Sequence, residues 1–357
     1  MMGPRALIDT AALRHNLRRA RDAAPGSRVI AVIKADAYGH GMLRVARALA
    51  AADAFGVARV EEGVWLREAG IGHEILVLEG AAEVEELQAA SANRLQLACN
   101  NKEQLRMLRE ATLPRPVTCW LKMDTGMHRL GFAPQAAEAA WGELTESPVV
   151  AGPVRMMTHL ANADDREDPT SARQVAAFRP LAARLGAETS IANSAGILGW
   201  PESHTEWVRP GIMLYGASPF AGGEARADGL RPVMTLESRL IAVNHFHKGA
   251  RIGYSGTWIC PEPMPVGVVA AGYGDGYPRH APSGTPVLVD GHRVPLIGRV
   301  SMDMITVDLR RRPEARPGDP VTLWGRGLPA DEIARAAGTI AYELFCQVTG
   351  RVTFREV

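Results

Sequence analysis

The sequence has little of what would tie it to a nucleic acid, a membrane or an oxidising compartment. Its 40 Lys and Arg side chains are balanced by 39 Asp and Glu, a formal charge of +1 over 357 residues. That supplies neither a basic field for a phosphate backbone nor a polybasic signal for an anionic lipid surface. No stretch approaches the roughly 20 apolar residues of a membrane span. Residues 1–9 read MMGPRALID, and the charge at Asp9 interrupts the apolar run before it could act as a secretion-signal core, so the cytoplasm is the expected compartment. Four cysteines, Cys99, Cys119, Cys260 and Cys346, lack the close spacing of a zinc or redox motif. They read as buried free thiols in a reducing compartment, with reactive or bridged cysteines as the alternative. Low-complexity tracts, internal repeats and long linkers do not stand out either. The expected partner is a small molecule, not a nucleic acid or a membrane.

The length exceeds one average domain and suits one large plus one smaller unit. Up to about residue 216, short apolar runs alternate with amphipathic segments, the pattern of repeated βα units. Eight runs begin near Val29, Phe55, Ile75, Leu95, Val117, Val154, Thr189 and Val208. Seven are followed by helix-like stretches, among them 42–52, 82–90, 102–111 and 172–185. Eight parallel strands suit a closed (β/α)8 barrel, because at that number side chains just fill the interior; an open doubly wound sheet is the alternative. Beyond about residue 230 the texture changes to β-branched runs punctuated by Gly and Pro, with a hairpin signal at Asp290 and Gly291. The expected division is a barrel over 1–230 and a mostly antiparallel β domain over 231–357. One helix is expected over 330–348, with Gly350 as its stop.

The first apolar run ends on Lys34. A lysine at the C-terminal end of a barrel strand faces the side where barrel enzymes carry chemistry, and desolvation there favours the neutral, imine-forming amine. A strand-end lysine snorkelling to solvent is the alternative. The string Asp36, Tyr38, Gly39, His40, Gly41 beside it weighs toward a site. Barrels commonly bind phosphate through the loops after strands seven and eight. Here those loops offer Ser194, a helix cap and hydroxyl donor, and Arg209 followed by Gly211, which permits close backbone approach. Each loop alone would pass for ordinary turn and cap chemistry. Together with the strand-end lysine they are coherent with a phosphate-bearing aldehyde cofactor.

Residues 31–41, AVIKADAYGHG, resemble the pyridoxal-phosphate attachment signature of alanine racemases. The resemblance extends through 122–132 (KMDTGMHRLGF), Thr158 to Leu160, Asn193 and Ser194, 209–216 (RPGIMLYG), 252–255 (IGYS), 272–277 (GYGDGY) and 298–304 (GRVSMDM), covering both expected domains in order. It implies interconversion of L- and D-alanine with pyridoxal 5'-phosphate, for peptidoglycan synthesis or alanine catabolism. Lys34 would hold the cofactor and Tyr254 would be the opposing acid/base, reaching the site from the other subunit of a homodimer. Lys34 would serve the D-alanine face and Tyr254 the L-alanine face. Tyr38, Ser194, Gly211, Ile212 and Tyr342 would contact the phosphate, and His159 would pack on the cofactor ring. Arg209 would hydrogen-bond the pyridine nitrogen and leave it unprotonated, limiting side reactions. Arg129, with the Met302 N–H, would take the substrate carboxylate. Lys122 matches a lysine often carbamylated in the family; an unmodified Lys122 paired with Asp124 or another carboxylate is the alternative. Arg209 and His159 would polarise Tyr254. Ser301 stands where some relatives carry cysteine, and Tyr273 and Tyr277 would line the mouth of the site. Pyridoxal decarboxylases and dehydratases share a similar barrel but lack the 252–255 segment. Cofactor-carrier proteins resemble the barrel half alone. Broad-spectrum racemases commonly carry export signals.

Overall fold

A computed structural model describes residues 3–357. Eight strands close into a parallel barrel: β2 (Arg28–Val32), β3 (Ala54–Val57), β4 (Glu74–Val77), β5 (Gln96–Cys99), β6 (Cys119–Lys122), β7 (Arg155–Met157), β8 (Thr189–Ser190) and β9 (Trp207–Val208). Closure is completed where β2 pairs with β3 on one side and β9 on the other. The eight apolar runs expected from the sequence are these eight strands. Alternation along them sorts the side chains: Ile30, Ala54, Leu76, Ala98, Trp120, Met157 and Trp207 form an inner cluster of their own. Val29, Ala31, Phe55, Ile75, Leu97 and Leu121 join the larger core beneath the helices. Short strands buried on both faces are what a helix-jacketed parallel sheet requires.

The second layer is an eight-stranded sheet with most pairs antiparallel, built from β1 (Arg5–Ile8), β10 (Met234–Phe246), β13 (Met264–Val269), β14 (Pro286–Val289), β15 (His292–Ile297), β16 (Ile305–Asp308), β17 (Pro320–Trp324) and β18 (Thr353–Glu356). A separate two-stranded ribbon joins β11 (Arg251–Ile252) to β12 (Trp258–Ile259). Asp290 and Gly291, at φ 47° and 76°, form the tight turn between β14 and β15 that their sequence predicts. The first described strand belongs to this second sheet. Strand β1 lies between β10 and β18, and Asp9 after it is the N-cap of the helix Thr10–Ala23, accepting from Ala12 N–H at 2.8 Å. Asn16 of that helix, fully buried, donates to the Leu214 and Arg231 carbonyls and binds the barrel's exit to its start.

Three expectations are corrected here. The single helix over 330–348 is two, Ala330–Ala336 and Ala341–Cys346. Gly338 turns left-handed at φ 70°, Thr339 N–H closes back on the Ala334 carbonyl, and Ile340 is extended, so the stop is Gly338 rather than Gly350. Three cysteines are buried, but Cys346 is exposed, because the second short helix sets it on the wall of an open cavity. Tyr277 lines no opening: it is 1 % exposed, with its ring stacked 6.2 Å from Trp324, whereas Tyr273 is exposed. Among the described residues no helix is long and apolar enough to cross a membrane.

Candidate active site

Lys34 follows β2 directly, and the chain then does something a sequence pattern does not show. Ala35, Asp36, Ala37 and Tyr38 all adopt left-handed conformation, at φ 49° to 54°. Each such residue costs on the order of 1–2 kcal/mol relative to right-handed backbone, so the turn persists only because its surroundings hold it. Glu62 accepts from Ala35 N–H at 2.8 Å, His40 Nδ1 lies 2.8 Å from the Tyr38 carbonyl, and Asp36 accepts from Met42 N–H at 2.7 Å. Gly39 is required: a Cβ there would lie 2.1 Å from the Phe345 carbonyl oxygen. The turn swings the Tyr38 ring onto Tyr215, 4.6 Å between centroids, and toward Tyr342 at 5.7 Å.

Around Lys34 the other strand ends converge on a cavity of about 500 Å³. Tyr38, Lys122, Arg129, His159, Ser194, Arg209, Gly211, Ile212 and Tyr342 all line it, joined by Glu79, Asn193 and Cys346. Arg209 is buried and aimed by its donors: Nη1 to Ser190 Oγ, Nη2 to the Thr158 and Ile191 carbonyls, with His159 Nδ1 3.5 Å away. Burial lowers its pKa to about 10, which leaves it protonated at neutral pH. Burial first, then Arg209, Lys122 and Arg129, hold His159 well below the usual imidazole range, so its ring is neutral. Burial followed by Arg209, Arg129 and Lys34 brings Lys122 down to about 8.

The phosphate-side expectation is tested by the backbone. Asn193, not Ser194, is the helix cap, its side chain accepting from Gly196 N–H at 2.9 Å. Ser194 instead turns its hydroxyl across to Gly211 N–H at 2.8 Å, binding the loops after β8 and β9 to each other. A Cβ on Gly211 would lie 2.5 Å from the Tyr38 hydroxyl. The concavity made by Tyr38, Ser194, Gly211 and Ile212 thus exists only because residue 211 has no side chain. With first-turn N–H groups lacking helical partners, it fits a phosphate ester.

Lys122 and Asp124 do not pair. The Asp124 carboxylate accepts from the N–H groups of Gly126 and His128, both at 3.0 Å, and lies 3.2 Å from His128 Nδ1, so it shapes its own loop. Tyr254 and Met302 are absent from the cavity wall within one chain. Both are exposed, Tyr254 at 67 %, on the second domain. Arg209 and His159 therefore do not meet Tyr254 inside a single subunit.

Comparison with known proteins decides the family. Residues 8–219 match the model of the alanine racemase N-terminal domain and residues 233–356 that of the alanine racemase C-terminal domain. The chain belongs to the alanine racemase family. The alanine racemase of Nitrosococcus oceani is 56 % identical over 349 residues, covering 98 % of each chain. The solved biosynthetic alanine racemase of Pseudomonas aeruginosa superposes with a TM-score of 0.97 at 46 % identity over the whole of both chains. That of Bartonella henselae, described with covalently bound pyridoxal phosphate, does so at 0.89 and 26 % identity over 99 % of each. Two residues of this racemase-family site gave no warning in the sequence. Glu62 holds the left-handed turn, and only its capping-box spacing from Arg59 could have drawn notice. Gln174 lies behind the cavity wall, in a helix whose periodicity marks it merely as buried.

Proposed function

We propose that this protein interconverts L- and D-alanine with pyridoxal 5'-phosphate held on Lys34 and with two acid/base groups on opposite faces of the substrate. The observation that carries this reading is the cavity itself: one strand-end lysine faces a glycine-dependent anion cradle and three further cations. When bound, pyridoxal phosphate supplies the electron sink that acidifies the substrate Cα–H. Ser194, Gly211, Ile212, Tyr38 and Tyr342 hold its phosphate, and His159, neutral, packs against its ring. Arg209, which keeps its proton at neutral pH, would donate to the pyridine nitrogen and so would moderate the electron sink that the cofactor supplies. Arg129 with the Met302 N–H takes the alanine carboxylate.

Lys34 Nζ takes and returns the Cα proton on the D-alanine face. The Tyr254 hydroxyl does so on the L-alanine face, from the partner subunit of a homodimer. Support comes from its exposure and its setting: Tyr254, Ser301 and Met304 border one surface depression, Met302 is exposed within the same turn, and Tyr273, also exposed, donates its N–H to the Ser301 carbonyl. A wet apolar face of this kind suits coverage by a second copy. Lys122, with a pKa near 8, has enough neutral amine to add carbon dioxide, forming an N–C bond and releasing one proton. The resulting carbamate anion suits a wall already carrying Arg129 and Arg209. Four free thiols suit a reducing cytoplasm.

The test is a racemisation assay across alanine, serine, lysine and arginine, with borohydride trapping of the bound cofactor. Activity concentrated on alanine and a pyridoxyl label on Lys34 are expected, and a label on Lys102, Lys122 or Lys248, the chain's other lysines, would overturn the assignment. Tyr254→Phe should slow Cα proton exchange of L-alanine about 100-fold or more, far beyond its effect on D-alanine. Equal losses would sink the two-face scheme.

A further inference from the structure

Gln174 sits in the helix Thr170–Leu185, 1 % exposed, and does not line the cavity. Its amide is spent completely on two loops that do. Oε1 accepts from Ala161 N–H at 2.8 Å; Nε2 donates to the His159 carbonyl at 3.0 Å and to Thr125 Oγ1 at 3.2 Å. Thr125 Oγ1 in turn lies 2.8 Å from Thr158 Oγ1, and the Thr158 carbonyl accepts from Arg209.

The two loops carry different functional groups. The one after β6 carries Arg129, and the one after β7 carries His159. The first is closed on itself: Asp124 N–H to the Phe132 carbonyl and Phe132 N–H to the Lys122 carbonyl, both 2.8 Å, shut its stem. Asp124 shapes its interior. At the stem, Met123 N–H donates to the Met157 carbonyl at 2.8 Å and Gly131 N–H to the Asn100 carbonyl at 3.2 Å, which ties both ends of the loop to its neighbours. Beyond the stem, the Thr125, Thr158 and Gln174 contacts join the body of the loop to the one after β7, and Gly126 brings the loop backbone against the Gln174 methylenes, where an added Cβ would stand 3.6 Å from Cγ.

We infer that Gln174 is a positioning residue for the substrate-carboxylate site, locking the Arg129 loop to the His159 loop so that affinity for alanine depends on a side chain touching neither substrate nor cofactor. This rests on the reading that Arg129 receives the carboxylate. An amide is the fitting group because the site needs two donors and one acceptor on one planar head. A carboxylate could accept from Ala161 N–H and the Thr125 hydroxyl but would turn lone pairs toward the His159 carbonyl, and a thioether donates to neither oxygen and accepts only weakly.

The experiment uses holoenzyme carrying Gln174→Met, Thr125→Val or Arg129→Ala. KM and kcat for L-alanine are measured together with the inhibition constant of propionate, a carboxylate lacking the amino group. The rate at which phenylglyoxal modifies Arg129 in the cofactor-free protein, followed by peptide mass spectrometry, gives a readout independent of turnover. Gln174→Met should raise KM and the propionate constant about tenfold while kcat changes by less than about threefold. Thr125→Val, which removes the links to Gln174 and Thr158 but leaves the other two Gln174 bonds in place, should raise both constants about threefold. Modification of Arg129 should change rate in both variants. Unchanged KM, propionate constant and Arg129 reactivity in Gln174→Met, even with a lowered melting temperature, would leave Gln174 a packing residue and overturn the inference. If that variant does not fold, unchanged values in Thr125→Val overturn it. Arg129→Ala separates the two layers: an unchanged propionate constant there would remove the carboxylate role of Arg129 itself.

Discussion

At the N-terminal ends of the barrel strands, Arg28 and Arg155 meet Glu188 at 2.7 and 3.0 Å, and Arg155 also reaches Glu74 at 3.3 Å. Their guanidinium groups lie over Trp207, at 4.0 and 5.2 Å from the ring centre, and Arg155 also covers Trp120 at 5.3 Å. Both indole N–H groups are satisfied, by Gln96 and by Glu188. At the C-terminal ends of the same strands, Lys34, Lys122, Arg129 and Arg209 line one cavity, and none of them is in an ion pair among the described residues. Asp124, the carboxylate nearest in the chain to Lys122, is committed to its own loop. One end is matched in charge and closed by tryptophan; the other gathers cations that repel one another. Glu79 also borders the cavity but pairs with none of the four, and cations left unpaired in this way favour anionic ligands, as the proposed phosphate and carboxylate are. The second arrangement gives up stability for binding.

The widest separation between the ends should appear in Lys34→Ala, which removes the proposed cofactor attachment and one acid/base group. Turnover should fall by a factor on the order of 10³ to 10⁴ with the melting temperature of the cofactor-free protein held or raised, by activity assay and calorimetry. At the opposite end, Trp207→Ala should cost about 3–5 kcal/mol of stability while the folded fraction keeps its kcat. Loss of kcat in correctly folded Trp207→Ala would break the distinction.

A third prediction uses Lys122. Its pKa in the folded chain, about 8, lies below the ordinary 10.5, so between those values the unfolded chain binds more protons and stability rises with pH. Below about 8 both states carry the proton and that gain is gone. Cofactor-free protein should therefore resist urea better at about pH 9.5 than at about pH 7.5 as far as this group is concerned, and Lys122→Met should flatten that difference. An identical pH profile in the variant would mean Lys122 is not the cation that the cavity strains. The smallest effect is expected for Arg28→Ala. Its pair with Glu188 has side chains 42 % and 38 % exposed, so solvent screening should hold the loss to about 1 kcal/mol or less.

Much of the site was legible because barrel chemistry sits at strand ends. Periodicity located β2, β8 and β9, and the residues just past them, Lys34, Ser194 and Arg209, had to share one face of the barrel. What was not legible depends on partners distant in the chain. Tyr277 and Tyr273 are four residues apart in one motif, yet one is buried against Trp324 and the other exposed. Asp9 looks like an interruption of an apolar run and is a helix cap. The helix expected over 330–348 has good formers on both sides of its break, and the left-handed turn at Gly338 is chosen by the packing of the second segment on Tyr38 and His40.

The sequence by itself determined the repeated βα units, the β-rich second unit and the residues that stand at the strand ends, since short apolar runs alternating with amphipathic segments call for a helix-covered parallel sheet. Tertiary structure alone decided which of those residues are held in place. The left-handed turn after Lys34, strained in every residue from Ala35 to Tyr38, survives through Glu62, His40 and Phe345, and the Arg129 loop is joined to the His159 loop through Gln174. Such bonds join segments whose separation in sequence carries no periodic signal, so only the folded chain brings them together.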